Sequence, residues 1–375
     1  LIAVRDAGIL KEGFEGGDIE MEALKIGLVG VGRRGSGVYL PIISKMKDDL
    51  RLVAVCDIRE EAAEMWGKRY GVPCFTDVEE MIKKAKPDLL AIVITPKNNH
   101  IPALIATEYG VSYLVETPIH PDLKTADRMI EAAREKGVKI EVAENYYRAP
   151  MERIKRAMIL AGVFGRVLVA YNDFKGHGYH GVSLIRSYIG FEKEIKRVIG
   201  VGRSYKVQRH VYRGQEREDE SWQHAVIEFE DGSLGIFNFT SLSYGSPLRW
   251  HNSTKFYGER GMCVGDEAAI LDEKGERRPI KIERRTSVVE GVEVIDALIA
   301  DTDPPVVWEN PLRRYPLREW EISVASELKS IADAVREGTE PEYGPINGRI
   351  DQEVALAISK SCSRGGEPIE LPLEA

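Results

Sequence analysis

Between Ala23 and Ala143, short runs of Val, Ile and Leu alternate with longer segments in which apolar residues recur every three or four positions. The short runs predict strands over 25–29, 52–56, 89–94, 112–115 and 139–142, with the near-continuous apolar character of strands buried on both faces. The longer segments predict helices over 36–46, 60–70, 78–84, 101–108 and 123–135, each with a charged face. Gly71, Gly110 and Gly137 follow three of these helices, where a C-cap favours glycine. Regular strand–helix alternation is the pattern of a Rossmann-type α/β domain on a mostly parallel sheet.

After Pro150 the pattern changes. One helix is expected over 151–160, then strand-like runs over 165–173, 222–230, 233–240 and 255–264, with Asp231-Gly232 as the turn between the middle two. These predict an α+β C-terminal domain with a large, mostly antiparallel sheet. The Pro-rich stretch 301–316 reads as irregular, and helices over 319–337 and 350–363 follow it. The expected division is an N-terminal extension over 1–22, a Rossmann domain over 23–148 and a substrate-binding and oligomerisation domain over 149–375. The extension stands outside the fold reading because Met21 sits just before the first convincing strand, so what precedes it reads as a leader, a tag remnant or a misassigned start. Helices on one sheet face would leave the other as an apolar patch, so a homo-oligomer is expected.

Composition narrows the function. A length of 375 residues suits two domains, and 43% hydrophobic residues suffice for sizeable cores without disulfides. A net charge of −8 argues against nucleic acid or an anionic membrane as partner. The basic cluster Arg277, Arg278, Lys281, Arg284 and Arg285 reads as a solvated hairpin edge. Cys56, Cys74, Cys263 and Cys362 form no CxxC pair, which disfavours zinc and points to a reducing compartment, the cytoplasm.

The strand at 25–29 leads into Gly30-Val31-Gly32-Arg33-Arg34-Gly35 and then a helix, the context that a dinucleotide-binding turn requires. Gly30 permits the tight turn, Gly32 lets a pyrophosphate approach the backbone, and Gly35 lets helix and strand pack closely. Asp57, at the end of the second strand, is placed to accept hydrogen bonds from adenosine ribose hydroxyls and to repel a 2′-phosphate, which favours NAD over NADP. Arg33, Arg34 and Arg59 are read as surface or pyrophosphate-facing charges.

With these residues the chain resembles the glucose-fructose oxidoreductase and inositol dehydrogenase family, Gfo/Idh/MocA. Thr95-Pro96-Lys97-Asn98-Asn99-His100 is similar to the family's turn beside the nicotinamide ribose, and Glu116-Thr117-Pro118 stands where the family has Glu-Lys-Pro. Glu144-Asn145-Tyr146-Tyr147-Arg148 resembles the segment entering the second domain, and His180 through Arg186 the motif with the catalytic histidine. The resemblance implies NAD contacts at Thr95, Pro96, Asn98, His100, Glu116, Thr117 and Asn145, and a polyhydroxylated substrate. The chain departs from the family at two places: Thr117 replaces the lysine that helps remove the hydroxyl proton, and Gly176 replaces an aspartate four residues before the histidine. His180 is then the main expected acid/base, with His177 and Tyr179 beside it. The His-x-x-His pair has no carboxylate or Cys near it in sequence, so no metal site is expected. His224, His251, Trp250 and Trp308 read as sheet-surface or core residues.

Three functions fit this pattern: an NAD-dependent oxidoreductase acting on a sugar, cyclitol or glycoside; an NAD-dependent glycoside hydrolase working by transient oxidation and elimination; and an inactive NAD-binding sensor.

Overall fold

The N-terminal apolar runs assemble into six parallel strands, in the spatial order Cys74–Phe75, Leu50–Cys56, Leu24–Val29, Leu89–Ile92, Ser112–Val115 and Ile140–Val142. Chain order reverses between Leu24–Val29 and Leu89–Ile92, and open α/β sheets bind ligands beyond the carboxyl ends of strands at such a point. The computed structural model describes residues 2–5, 8–9, 22–212, 214–241 and 252–373. Trp250 and His251 lie outside the described residues.

Helices Glu60–Tyr70, Val78–Ala85, His100–Glu108 and Leu123–Lys136 connect the strands. Asp77 and Asp122 cap two of them by accepting the N–H groups of Glu80 and Thr125, and Gly71 and Gly137 end two in the left-handed region. The local expectations fail in three places. The strand expected over 89–94 ends at Ile92, and Val93 and Ile94 carry the chain into the crevice that they line. The two-residue strand Cys74–Phe75 is too short to show a pattern. The helix expected over 36–46 begins as a widened π turn, Gly35–Tyr39, before the regular Leu40–Lys45.

The second sheet has nine strands, in the order Arg277–Ile280, Glu267–Leu271, Gly261–Val264, Ser253–Gly258, Val167–Asp173, Leu234–Thr240, Gln215–Phe229, Ile195–Tyr212 and Ile369–Glu370. Its pairs are antiparallel except Val167–Asp173 with Leu234–Thr240. Helices Gly178–Ile189 and Pro345–Ser363 cover one face, burying Val198, Ile227, Phe229, Phe237 and Phe256. The opposite face exposes Val201, Val226, Tyr257, Met262 and Val264. The run over 255–264 is a hairpin, not one strand: the chain reverses at Glu259 and Arg260, and a Cβ on Gly258 would stand 2.4 Å from the Phe164 carbonyl oxygen.

A third sheet was not expected. It joins Ile282–Val289, Val292–Ala300 and Val306–Glu309 with Ile2–Arg5 and Gly8–Ile9. The stretch 301–316 therefore contains a strand whose Val306-Val307-Trp308 core is disguised by flanking prolines, and Ile2–Arg5, left out of the fold reading, pairs with it in parallel. Trp308 is a core residue. Helix Glu319–Glu337 crosses back onto strands Ser112–Val115 and Ile140–Val142, so residues from both halves of the chain share one hydrophobic core.

Candidate active site

A cavity of about 680 Å³ opens at the reversal point of the parallel sheet. Ten expected cofactor residues line it: Gly30, Gly32, Arg33, Arg34, Asp57, Thr95, Pro96, Asn98, Glu116 and Thr117. The three glycines play different parts. Gly30 has φ +93°, and a Cβ there would lie 2.3 Å from the Val93 carbonyl oxygen; at Gly35 it would lie 2.0 Å from that of Gly30. At Gly32 an added Cβ would meet nothing within 4 Å. Gly30 and Gly35 are thus required by packing, whereas Gly32 leaves its backbone open to the cavity, as a pyrophosphate cradle needs.

Asp57 closes one end. Its carboxylate accepts the Val31 N–H at 3.0 Å, the Arg59 backbone N–H at 3.0 Å, and the Arg59 side chain through Nε at 2.9 Å and Nη2 at 3.0 Å. Burial pushes its pKa up, but these donors outweigh burial and hold it below the usual carboxylate range. Arg34 donates through Nε to Glu116 on the far side of the cavity. Asn99 is buried, and its side-chain amide donates to the carbonyls of Pro118 and Ile119 at 3.3 and 2.8 Å, tying the Thr95–Asn99 turn to the loop after Glu116.

Gly35, His100 and Asn145 do not line this cavity. His100 opens helix His100–Glu108 and meets His120 edge-on at 5.0 Å. Asn145 begins the turn Tyr146–Arg148, its carbonyl accepting the Arg148 N–H at 3.2 Å. Sequence reasoning missed Ile58, Thr76, Asp77, Val78, Ile101 and Ile105 in the wall. Asp77 carried a signal, an Asp followed three residues later by Glu at a helix start; the apolar wall residues carried none.

The three expected acid/base residues come together at the start of helix Gly178–Ile189. His177 is its N-cap, and the rings of His177 and Tyr179 lie 4.9 and 4.5 Å from that of His180. The Tyr179 hydroxyl donates to the Thr117 carbonyl at 3.4 Å, which joins this cluster to the cavity that Thr117 lines. Tyr146 stacks on His180 with centroids 4.3 Å apart. Sequence spacing placed no carboxylate near the histidine pair, but the fold does: His180 Nδ1 is 2.6 Å from Glu144 Oε2, and Glu144 is 1% exposed. His177 sits differently. Burial, aided by the adjacent His180, lowers its pKa to about 4, so it is neutral at pH 7. Among the described residues, no group of three or more His, Cys, Asp or Glu side chains could hold a metal ion. Likewise, none of their helices is long and apolar enough to cross a membrane.

Residues 24–144 match the family model of the Gfo/Idh/MocA oxidoreductases, described as an oxidoreductase family with an NAD-binding Rossmann fold. The chain is 32% identical over 152 residues to inositol 2-dehydrogenase 4 of Saccharopolyspora erythraea, covering 40% of this chain and 44% of that protein. It is 26% identical over 148 residues to D-glucoside 3-dehydrogenase of Escherichia coli, covering 39% and 42%. These matched stretches span less than half the length of either relative. In fold the likeness extends further: the scyllo-inositol dehydrogenase of Lactobacillus casei, solved with NAD(H) and scyllo-inositol, superposes with a TM-score of 0.65 at 16% identity, over 93% of this chain and 99% of that one.

Proposed function

Because its Rossmann domain belongs to the Gfo/Idh/MocA family of NAD-binding oxidoreductases, we propose that the chain oxidises a carbinol carbon of a sugar, cyclitol or glycoside. The observation that carries this reading is the adjacency of two features: a glycine cradle open at Gly32, and a histidine cluster tied to the same cavity through Tyr179 and Thr117. Bound there, NAD supplies a nicotinamide ring that accepts or returns a hydride. The protein holds it and manages the proton. The open backbone at Gly32 would take the pyrophosphate, and the Asp57 carboxylate the ribose hydroxyls. Ile58, 90% exposed, and Ile101 offer apolar surface to a planar base. His180 is the acid/base, and Tyr179, whose hydroxyl meets the Thr117 carbonyl, is the next candidate to move a proton. The substrate class follows the inositol and glucoside dehydrogenases that the chain resembles.

Thr117 in place of the lysine favours one further reading, redox-neutral glycoside cleavage by transient oxidation and elimination. A single assay separates the two: polyols and aryl glycosides offered with NAD, with NADH absorbance and aglycone release followed together. Stoichiometric NADH supports the dehydrogenase, and aglycone release without net NADH supports the glycosidase. In either case His180→Ala should lower turnover by ~10²–10⁴-fold with NADH affinity nearly unchanged. Silence on both channels from a folded protein that binds NADH would leave only a sensor.

The oligomeric expectation rests on the open sheet face, where Val201, Val226, Tyr257, Met262 and Val264 stand exposed. A second copy covering that face should appear as a dimer or larger species in sedimentation at micromolar concentration; a strict monomer would refute it.

A further inference from the structure

We propose that Glu144 is the positioning residue of the acid/base His180, taking across the joint between the two halves of the chain the part of the family's absent aspartate. The inference rests on the reading of His180 as acid/base. Glu144 follows the last strand of the parallel sheet, and His180 lies in the first turn of helix Gly178–Ile189. They are 36 residues apart in sequence yet 2.6 Å apart in space, the length of a charge-assisted hydrogen bond.

Both carboxylate oxygens are employed. Oε1 accepts the Tyr146 N–H at 3.0 Å, which orients the group, and Oε2 faces His180 Nδ1. An ionised carboxylate only accepts, so Nδ1 must carry the hydrogen. In the neutral ring that leaves the lone pair on Nε2, which has no hydrogen-bond partner among the described residues. Tyr146 stacked on one face and the edges of His177 and Tyr179 restrict the ring's rotation.

Gly176 shows why the carboxylate comes from elsewhere. A Cβ at Gly176 would lie 2.6 Å from the Gly181 nitrogen and 2.8 Å from the His180 carbonyl carbon. Its own N–H and C=O are both taken by the Asn172 side-chain amide, at 2.8 and 2.9 Å. An aspartate therefore has no room there, and the closely packed helix start brings His180 against Glu144 instead.

In the oxidative direction, with bound NAD as hydride acceptor, the substrate O–H bond breaks and an N–H bond forms at Nε2. The electron pair left on oxygen becomes the carbonyl π bond as the hydride departs. The positive charge then on the imidazole is paired with Glu144, which itself takes no proton.

The test is Glu144→Gln, with Glu144→Asp beside it, in full-length protein labelled with ¹⁵N-histidine; the His180 signal is assigned by its loss in His180→Ala. The expected wild-type spectrum has the hydrogen on Nδ1. Glutamine can donate to Nδ1, so Glu144→Gln should move the hydrogen to Nε2 and lower kcat by ~100-fold or more, with KM and NADH affinity little changed. Glu144→Asp should keep the Nδ1–H form and recover part of kcat. A wild-type spectrum with the hydrogen on Nε2 overturns the proposal, as does a Glu144→Gln protein with unchanged tautomer or unchanged kcat. If the wild type turns over no polyol or glycoside, the functional reading fails separately, and the tautomer measurement still decides whether Glu144 orients His180.

Discussion

At the scale of single residues, the two histidines of the cluster differ in environment. His180 has a carboxylate at Nδ1, while His177, one helical turn earlier, is buried enough that its pKa falls to about 4. In the unfolded chain His177 protonates near 6.5, so between pH 6.5 and about 4 the unfolded state binds more protons. Stability carried by the neutral form is thus present above pH 6.5 and lost as the pH falls toward 4. The loss should be on the order of 2 kcal/mol for this partly buried ring. Urea denaturation at pH 7 and pH 4.5 checks it: His177→Gln should lose less stability between the two than the wild type, and an equal loss would place the titration elsewhere. Motif position singled out His177, Tyr179 and His180 as candidates and put Glu144 in a family-like segment without a role, because a carboxylate at the end of a strand looks like any other charged residue until the second half of the chain packs on it.

Among elements, the critical joint is between the last parallel strand, the turn Tyr146–Arg148 and helix Glu319–Glu337. Arg148 is fully buried; its guanidinium donates to Glu141 Oε1 at 2.6 Å and the Ser326 carbonyl at 3.0 Å, and lies 3.1 Å from Glu342. Ser330, on the same helix, donates to the other Glu141 oxygen at 2.7 Å. Removing Arg148 would leave the fully buried Glu141 carboxylate without its charged partner, while Glu342 keeps Arg153, so Arg148→Ala should cost about 3–5 kcal/mol, read as a lower denaturation midpoint. Adding Glu141→Gln to that variant should return part of the loss; strictly additive costs would show that the two residues are not coupled. The elements themselves were legible to different degrees. Helix 319–337 was read at its observed ends, but Ile195–Tyr212 was missed and Gln215–Phe229 was found only from 222 onward. Their far ends, with Arg203, Lys206, Glu216 and Asp219, stand exposed, so no apolar alternation marks them.

For the whole molecule, the sequence by itself determined the parallel sheet, the glycine turn with its acid at Asp57, and the change of architecture after Pro150. These are local: a strand buried on both faces needs a continuous apolar run, and a turn with no space for a Cβ needs glycine. What only the tertiary structure decided are the relations between distant segments. The strand Val306–Glu309 gains its identity from partners in sequence-remote segments, Val292–Ala300 and Ile2–Arg5. Arg59 is drawn onto Asp57, and Glu144 meets His180 across the joint. Backbone conformation and burial period are encoded within a few residues of chain, whereas the partner of a buried polar group is chosen by which segments the shared core brings together.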